Sequence, residues 1–181
     1  TKLQEAQIKH QIESFRRLTI MASELNLGLI LHIRDAWSQF LIEWEAIIKK
    51  LDDMNLKIPK TVIHCYNERN LIETEEVINK GINFFGVGGK IFTDVSLRNT
   101  VKELPLKCIV LETDSPYLRP ESYIPPDFIR EYEKNGHRKL KGINTPQSLT
   151  LIAGEVANIK GLSIEKVIDE TYNNAIELFS L

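Results

Sequence analysis

Apolar and polar positions follow two alternating rhythms along this 181-residue chain. Over residues 3–26 apolar side chains fall at Ile8, Ile12, Phe15, Leu18, Ile20, Ala22 and Leu25 between charges, a mostly helical spacing that predicts one amphipathic helix. Gly28 reads as its C-terminal stop. The next run, Leu29-Ile30-Leu31-His32-Ile33, is too short for a helix and rich in branched residues, so it predicts a buried strand. The alternation repeats with a helix over 36–54, a strand at 61–64, a helix over 71–79 and a strand at 83–87. A helix over 95–104 and a strand at 107–112 follow. Strands that read as continuous apolar runs between helices predict parallel pairing with helical crossovers, hence an α/β fold with four parallel strands.

Pro116, Pro120, Pro125 and Pro126 break the segment after Asp114 into a long strand-to-helix loop containing a short charged piece, 128–134. Two helices close the chain, over 146–160 and 163–179. Thr145 before Pro146 supplies N-cap and first-turn proline, whereas Ser163 with Lys166 makes half a capping box.

Composition narrows the class without choosing a function. With 23 Lys and Arg against 25 Asp and Glu the formal net charge is −2, and 43% of residues are hydrophobic. That profile excludes disordered and fibrous classes, and it disfavours a protein that coats nucleic acid by bulk charge. No apolar run approaches the roughly 20 residues of a membrane span. The two cysteines, Cys65 and Cys108, adjoin apolar runs, there is no Asn-x-Ser/Thr sequon, and no signal-like segment opens the sequence. A cytoplasmic location is expected, or a nuclear one in a eukaryote.

Candidate chemistry gathers at strand ends. His32 ends the first predicted strand, His64 the second, and Asp114 lies just past the fourth. In a parallel α/β sheet or barrel the carboxyl ends of all strands open on one face, so these three can converge despite separations of 32 and 50 residues. Imidazole and carboxylate together suit a borderline or hard divalent ion. Glu112, two residues before Asp114, faces the same way in an extended strand; it either accepts the second N–H of a ligand histidine or pairs with a Lys or Arg. Arg34 sits at the same rim, as a phosphate fork or as an ion-pair partner of Asp35. Tyr66 and Tyr117 follow strand ends and either stack on bases or pack against the rim. Arg130, Lys134, Arg138, Lys139, Lys141 and His137 populate the long loop, as phosphate contacts or solvated surface. His10 reads as a solvated helix residue. Cys65, adjacent to His64 on a strand, is expected to point away from the site and pack. Gly86-Val87-Gly88-Gly89 lacks the spacing of a dinucleotide fingerprint and the Lys-Ser/Thr of a P-loop, so its glycines more plainly permit a turn or make room for a ligand.

Taken in series, Leu31-His32-Ile33-Arg34-Asp35-Ala36, His64-Cys65-Tyr66, Gly86-Val87-Gly88-Gly89, Glu112-Thr113-Asp114-Ser115-Pro116-Tyr117, Asn144-Thr145-Pro146 and Thr171-Tyr172-Asn173-Asn174-Ala175 resemble the TatD family of metal-dependent deoxyribonucleases. The resemblance implies a TIM-type (β/α) barrel, of which this chain covers the second half. It implies two divalent ions, Mg²⁺ by default with Mn²⁺ or Zn²⁺ as alternatives, and a DNA substrate whose phosphodiester bond is cleaved by metal-activated water. His32, His64 and Asp114 match the family's last three ligands, whereas a His-x-His pair and an earlier glutamate have no counterpart here. Asp114 would act as ligand, and as ligand or base in catalysis, with Glu112 and Arg34 beside it; Arg34, Tyr66, Tyr117, Arg138 and Lys139 would meet the nucleic acid. In place of the family's Phe-Ser-Gly after His-Cys stands Tyr66-Asn67-Glu68.

Two other readings compete. Amidohydrolases and lactonases of related architecture also use strand-end histidines and a final aspartate, although their carboxylated lysine has no counterpart here. Alternatively the chain is a catalytically incompetent half-barrel. A full barrel takes roughly 250 residues, so roughly 70 or more N-terminal residues are expected to be missing, and self-association or pairing with that missing half is expected.

Overall fold

Four short apolar segments form one parallel sheet in the order β1-β2-β3-β4: β1 Leu29–Leu31, β2 Thr61–Ile63, β3 Phe84–Val87 and β4 Ile109–Leu111. The computed structural model describes residues 2–66, 71–118, Lys134 and 144–181. Register is set by Leu29 opposite Thr61, Val62 opposite Phe84 and Gly86 opposite Val110. Each strand is followed by a helix: α1 Lys2–Glu24 precedes β1, α2 Trp37–Asp53 links β1 to β2, α3 Leu71–Asn79 links β2 to β3, and α4 Val95–Glu103 links β3 to β4. Past the 3-10 turn Pro146–Ser148 come α5 Leu149–Lys160 and α6 Ile164–Phe179. The predicted helices and strands are all present, with strand ends trimmed: Ile33, His64 and Glu112 lie beyond the ladder, and residues 106–108 form a 3-10 turn.

Alternation along the strands splits the core in two. Leu31, Ile63, Phe85 and Ile109 join Trp44, Ile91, Ile152 and Val167 from the helices, whereas Val62, Phe84 and Val110 pack with Leu178 on the other face. β2 and β3 are buried along their whole length, as central parallel strands must be. β1 and β4 each have one strand neighbour in this sheet, and Ile30 at the centre of β1 is 57% exposed.

Two boundary readings change. Helix α1 is stopped by Asn26 in the left-handed region (φ 52°), with Leu27 N–H bonded to Ala22 O. Gly28 instead permits close packing, because a Cβ there would overlap the carbonyl of Leu178. Thr145 forms no side-chain cap; Asn144 Oδ1 accepts from Thr145 N–H and Ser148 Oγ in its place, and Thr145 Oγ1 is buried without a partner among the described residues. Ser163 caps α6 as expected, accepting from Lys166 N–H. Asn174 in the closing motif is buried and donates to the carbonyls of Leu106 and Ile109, tying α6 to the start of β4.

Candidate metal centre

The residues just past the strand ends share one edge of the sheet, and there the chain leaves the extended region abruptly. Asp35, Cys65 and Asp114 all adopt positive φ, at 52°, 52° and 56°. Left-handed backbone at non-glycine residues is uncommon and costs energy, which places local strain at three neighbouring turns.

His64 and Asp114 meet in these turns. His64 Nε2 lies 3.1 Å from Asp114 Oδ1, and His64 Nδ1–H donates to Glu112 Oε2 at 2.7 Å. Glu112 Oε1 accepts from Cys65 N–H at 2.5 Å. Ligand-type atoms of His64, Glu112 and Asp114 all lie within 4.8 Å of one another. His32 stands beside this group rather than inside it: its ring is exposed, with a centroid 5.4 Å from that of His64.

Sheet order explains how the cluster forms. His64 follows β2 and Glu112 follows β4, with β3 between them. The Glu112 side chain therefore crosses over β3, and it does so at Gly86. A Cβ on Gly86 would stand 2.7 Å from Glu112 Cδ and overlap a carboxylate oxygen. The glycine makes room for a neighbouring side chain of this chain.

Burial, followed by the Asp114 charge, raises the Glu112 carboxyl above its ordinary range, while His64 and the Cys65 N–H oppose that shift. Cys65 is a correction to the alternation argument: the strand has already ended at Ile63, and the thiol turns toward the carboxylates instead of packing away from them. Burial first, then the charge of Asp114 and a hydrogen bond to it, pushes its pKa up to about 12. A thiol so protonated is a poor nucleophile.

Tyr66 is a second correction. Its ring is 4% exposed against Phe85, centroids 4.8 Å apart, and its hydroxyl bonds Thr74 Oγ1 at 2.5 Å, so it belongs to the core and cannot stack on a base. Tyr117 is 76% exposed. Arg34 is also exposed and stands 3.8 Å from Asp35 Oδ2, an exposed pair of little strength. His10 is solvated, with Glu13 3.7 Å away. Lys134 is exposed, while Arg130, His137, Arg138, Lys139 and Lys141 lie outside the described residues.

A cleft of about 270 Å³ opens beside the cluster, lined by His32, Arg34, His64, Cys65 and Lys90 among others. The sequence reading passed over Lys90. A usable signal was present, since Arg34, Lys90 and Asp114 each stand three residues past the end of a strand. It also missed Asn144 as an organiser of the Asp114 turn. Asn144 Nδ2 donates to Thr113 O and Tyr117 O, both at 2.6 Å, and Asn144 N–H bonds Pro116 O, within a turn containing a cis Ser115-Pro116 bond.

The donor set fits a divalent cation: one imidazole and two carboxylates converge, with a further imidazole alongside. No helix among the described residues is long and apolar enough to cross a membrane.

Comparison with known proteins agrees with this geometry. The chain is similar to deoxyribonuclease TATDN3 of Homo sapiens, 30% identical over 88% of this chain and 47% of that protein. It is 28% identical to the 3'-5' ssDNA/RNA exonuclease TatD of Pantoea ananatis, over 96% of this chain and 60% of that one. The chain thus spans about half to three-fifths of the length of these relatives. Its fold matches an uncharacterized amidohydrolase from Saccharomyces cerevisiae (TM-score 0.74, 20% identity, 94% of this chain and 60% of that one). It also matches a TatD family hydrolase from Entamoeba histolytica (TM-score 0.70, 22% identity, 94% and 57%). The parallel four-stranded sheet with its helices, shared with these neighbours, is consistent with the TIM-type barrel that the family resemblance implies. The family profile for TatD related DNase matches residues 2–180, and the chain belongs to that family.

Proposed function

We propose that this chain supplies the phosphodiester-cleaving face of a divalent-metal-dependent hydrolase acting on DNA. The convergence of His64, Glu112 and Asp114 at the carboxyl edge of the sheet carries this reading. His64 and Asp114, with His32 alongside, would hold the metal; Mg²⁺ is the first choice, with Mn²⁺ or Zn²⁺ as alternatives. A divalent ion there would lower the pKa of a water and offset charge on the phosphoryl oxygens.

The chain's own groups divide the remaining work. Glu112 is a positioning residue: by accepting from Nδ1 it fixes the His64 tautomer and leaves the Nε2 lone pair on the side of Asp114. Asp114 carries the carboxylate placed to take a proton from an attacking water. Arg34 on the exposed rim would contact a phosphate, Tyr117 a base, and Arg138 and Lys139 of the long loop the strand beyond. Free Cys65 and Cys108 support a reducing compartment, cytoplasmic or nuclear. The open edge at β1 supports pairing with further strands of the same barrel or with a second copy.

Titration with each metal against single-stranded DNA and a para-nitrophenyl phosphodiester tests the reading. His64→Ala and Asp114→Ala are each expected to reduce metal-stimulated cleavage by about 100-fold or more. Cleavage unchanged in both variants overturns the assignment.

A further inference from the structure

We propose that Lys90 anchors a phosphate of the substrate in the cleft, on the side of His64 opposite Arg34. The proposal rests on the nuclease reading for the substrate and on the following geometry for the residue.

Strand order alone separates the two cations. Arg34 follows β1, His64 follows β2 and Lys90 follows β3, so the side chains that share the cleft are ranked Arg34, His64, Lys90 along the sheet edge. Lys90 is half-buried, and no carboxylate pairs with its ammonium among the described residues. The other half-buried lysines among the described residues are engaged, Lys80 with Glu45 and Glu76 and Lys160 with the carbonyls of Val101, Lys102 and Leu104. Lys90 and Cys65 line the same cleft.

Its backbone is well anchored. Lys90 belongs to the 3-10 turn Gly89–Phe92, its carbonyl accepts from Thr93 N–H and Asp94 N–H, and the adjacent Ile91 is fully buried. The ammonium is thus presented from a fixed base at the mouth of a site whose floor is acidic. Glu112 and Asp114 would repel an entering phosphodiester, and a cation on each side of His64 offsets that field: Arg34, held only by its exposed pair with Asp35, and Lys90, without a carboxylate partner among the described residues. An ammonium offers three donors to phosphate oxygens without requiring one approach direction.

Fluorescence anisotropy tests this with a short 5′-phosphorylated oligothymidylate in EDTA, across a salt series and beside thermal melts. Lys90→Gln is expected to weaken binding about 10-fold and to lower the salt slope by about 0.7, the share of one phosphate contact on a single strand. Lys90→Arg should stay within about threefold of the unsubstituted protein, because charge is retained. With Mg²⁺ present, Lys90→Gln should raise KM with kcat nearly unchanged. Failure of the unsubstituted protein to bind at low salt overturns the proposal, as does unchanged binding and slope in Lys90→Gln. Weakened binding with an unchanged slope, a lowered Tm and no recovery by Lys90→Arg also overturns it, since that pattern marks a structural role. Lys90-dependent binding without cleavage upholds the anchor and rejects the nuclease reading; cleavage without Lys90 dependence does the reverse.

Discussion

Glu112 is a carboxylate held against its own desolvation, with only 17% of its side chain exposed. Its raised pKa means that the ionised form is disfavoured in the folded chain. In the metal-free protein this group therefore contributes less stability as pH rises from its ordinary value through the raised one. Removing the charge should thus leave the metal-free fold intact while damaging what the charge positions. Glu112→Gln is expected to leave the Tm of the metal-free protein at pH 7 unchanged or higher. It should weaken metal binding about 10- to 100-fold by calorimetry, because a Gln amide can present N–H to Nδ1 and shift the tautomer. Equal metal affinity in the variant would show that Glu112 does not set the His64 tautomer. At this scale the sequence was legible where a residue's placement depends on its position past a strand, as for His64 and Asp114, which converge. It misled where strand alternation was carried too far, since β2 ends at Ile63 and Cys65 turns inward to the carboxylates, and, of the two readings given to Tyr66, the ring packs in the core beside Phe85.

At the scale of elements, the Asp114 turn is held from outside itself. Asn144 comes from the segment leading into α5, yet it binds the carbonyls of Thr113, Tyr117 and Leu118 and the hydroxyl of Ser148. Asn144→Ala removes the shared donor of three part-buried carbonyls and should lower stability by about 1–3 kcal/mol, measured by urea unfolding. Activity should fall more steeply than stability does, because the turn that aims Asp114 loses its tie to α5; parallel losses would reduce Asn144 to a structural role. The element order itself could be read from apolar runs, since burial on both faces leaves β3 without polar positions and β2 with Thr61 alone to confuse the period. What stayed hidden were ties between distant segments. Nothing local marks Asn144 as a partner of residue 117, or Gly28 as the place where Leu178 comes close.

For the whole molecule, among the described residues β1 and β4 each pair on one side only, whereas a TIM-type barrel closes on itself. Ile30 is exposed on the edge strand β1, and Leu18, Met21, Leu25 and Leu27 are exposed on α1 and its exit, which leads into that strand. The isolated 181-residue chain is expected to self-associate through this edge. Sedimentation velocity should show species larger than a monomer, and Ile30→Lys should shift them toward monomer; a monomeric unsubstituted chain refutes it. The passage of Glu112 over Gly86 also bears on cooperativity. Backbone bonds tie β2 only to β1 and β3, but the His64–Glu112 bond ties β2 directly to β4, with β3 beneath it. A cation shared by His64 and Asp114 would reinforce the same strap, so the amide protons of β3 should exchange with solvent more slowly once metal binds, although β3 contributes no ligand among these residues. Gly86, without a side chain, thereby lies at the point where local opening of the sheet and loss of the site become one event.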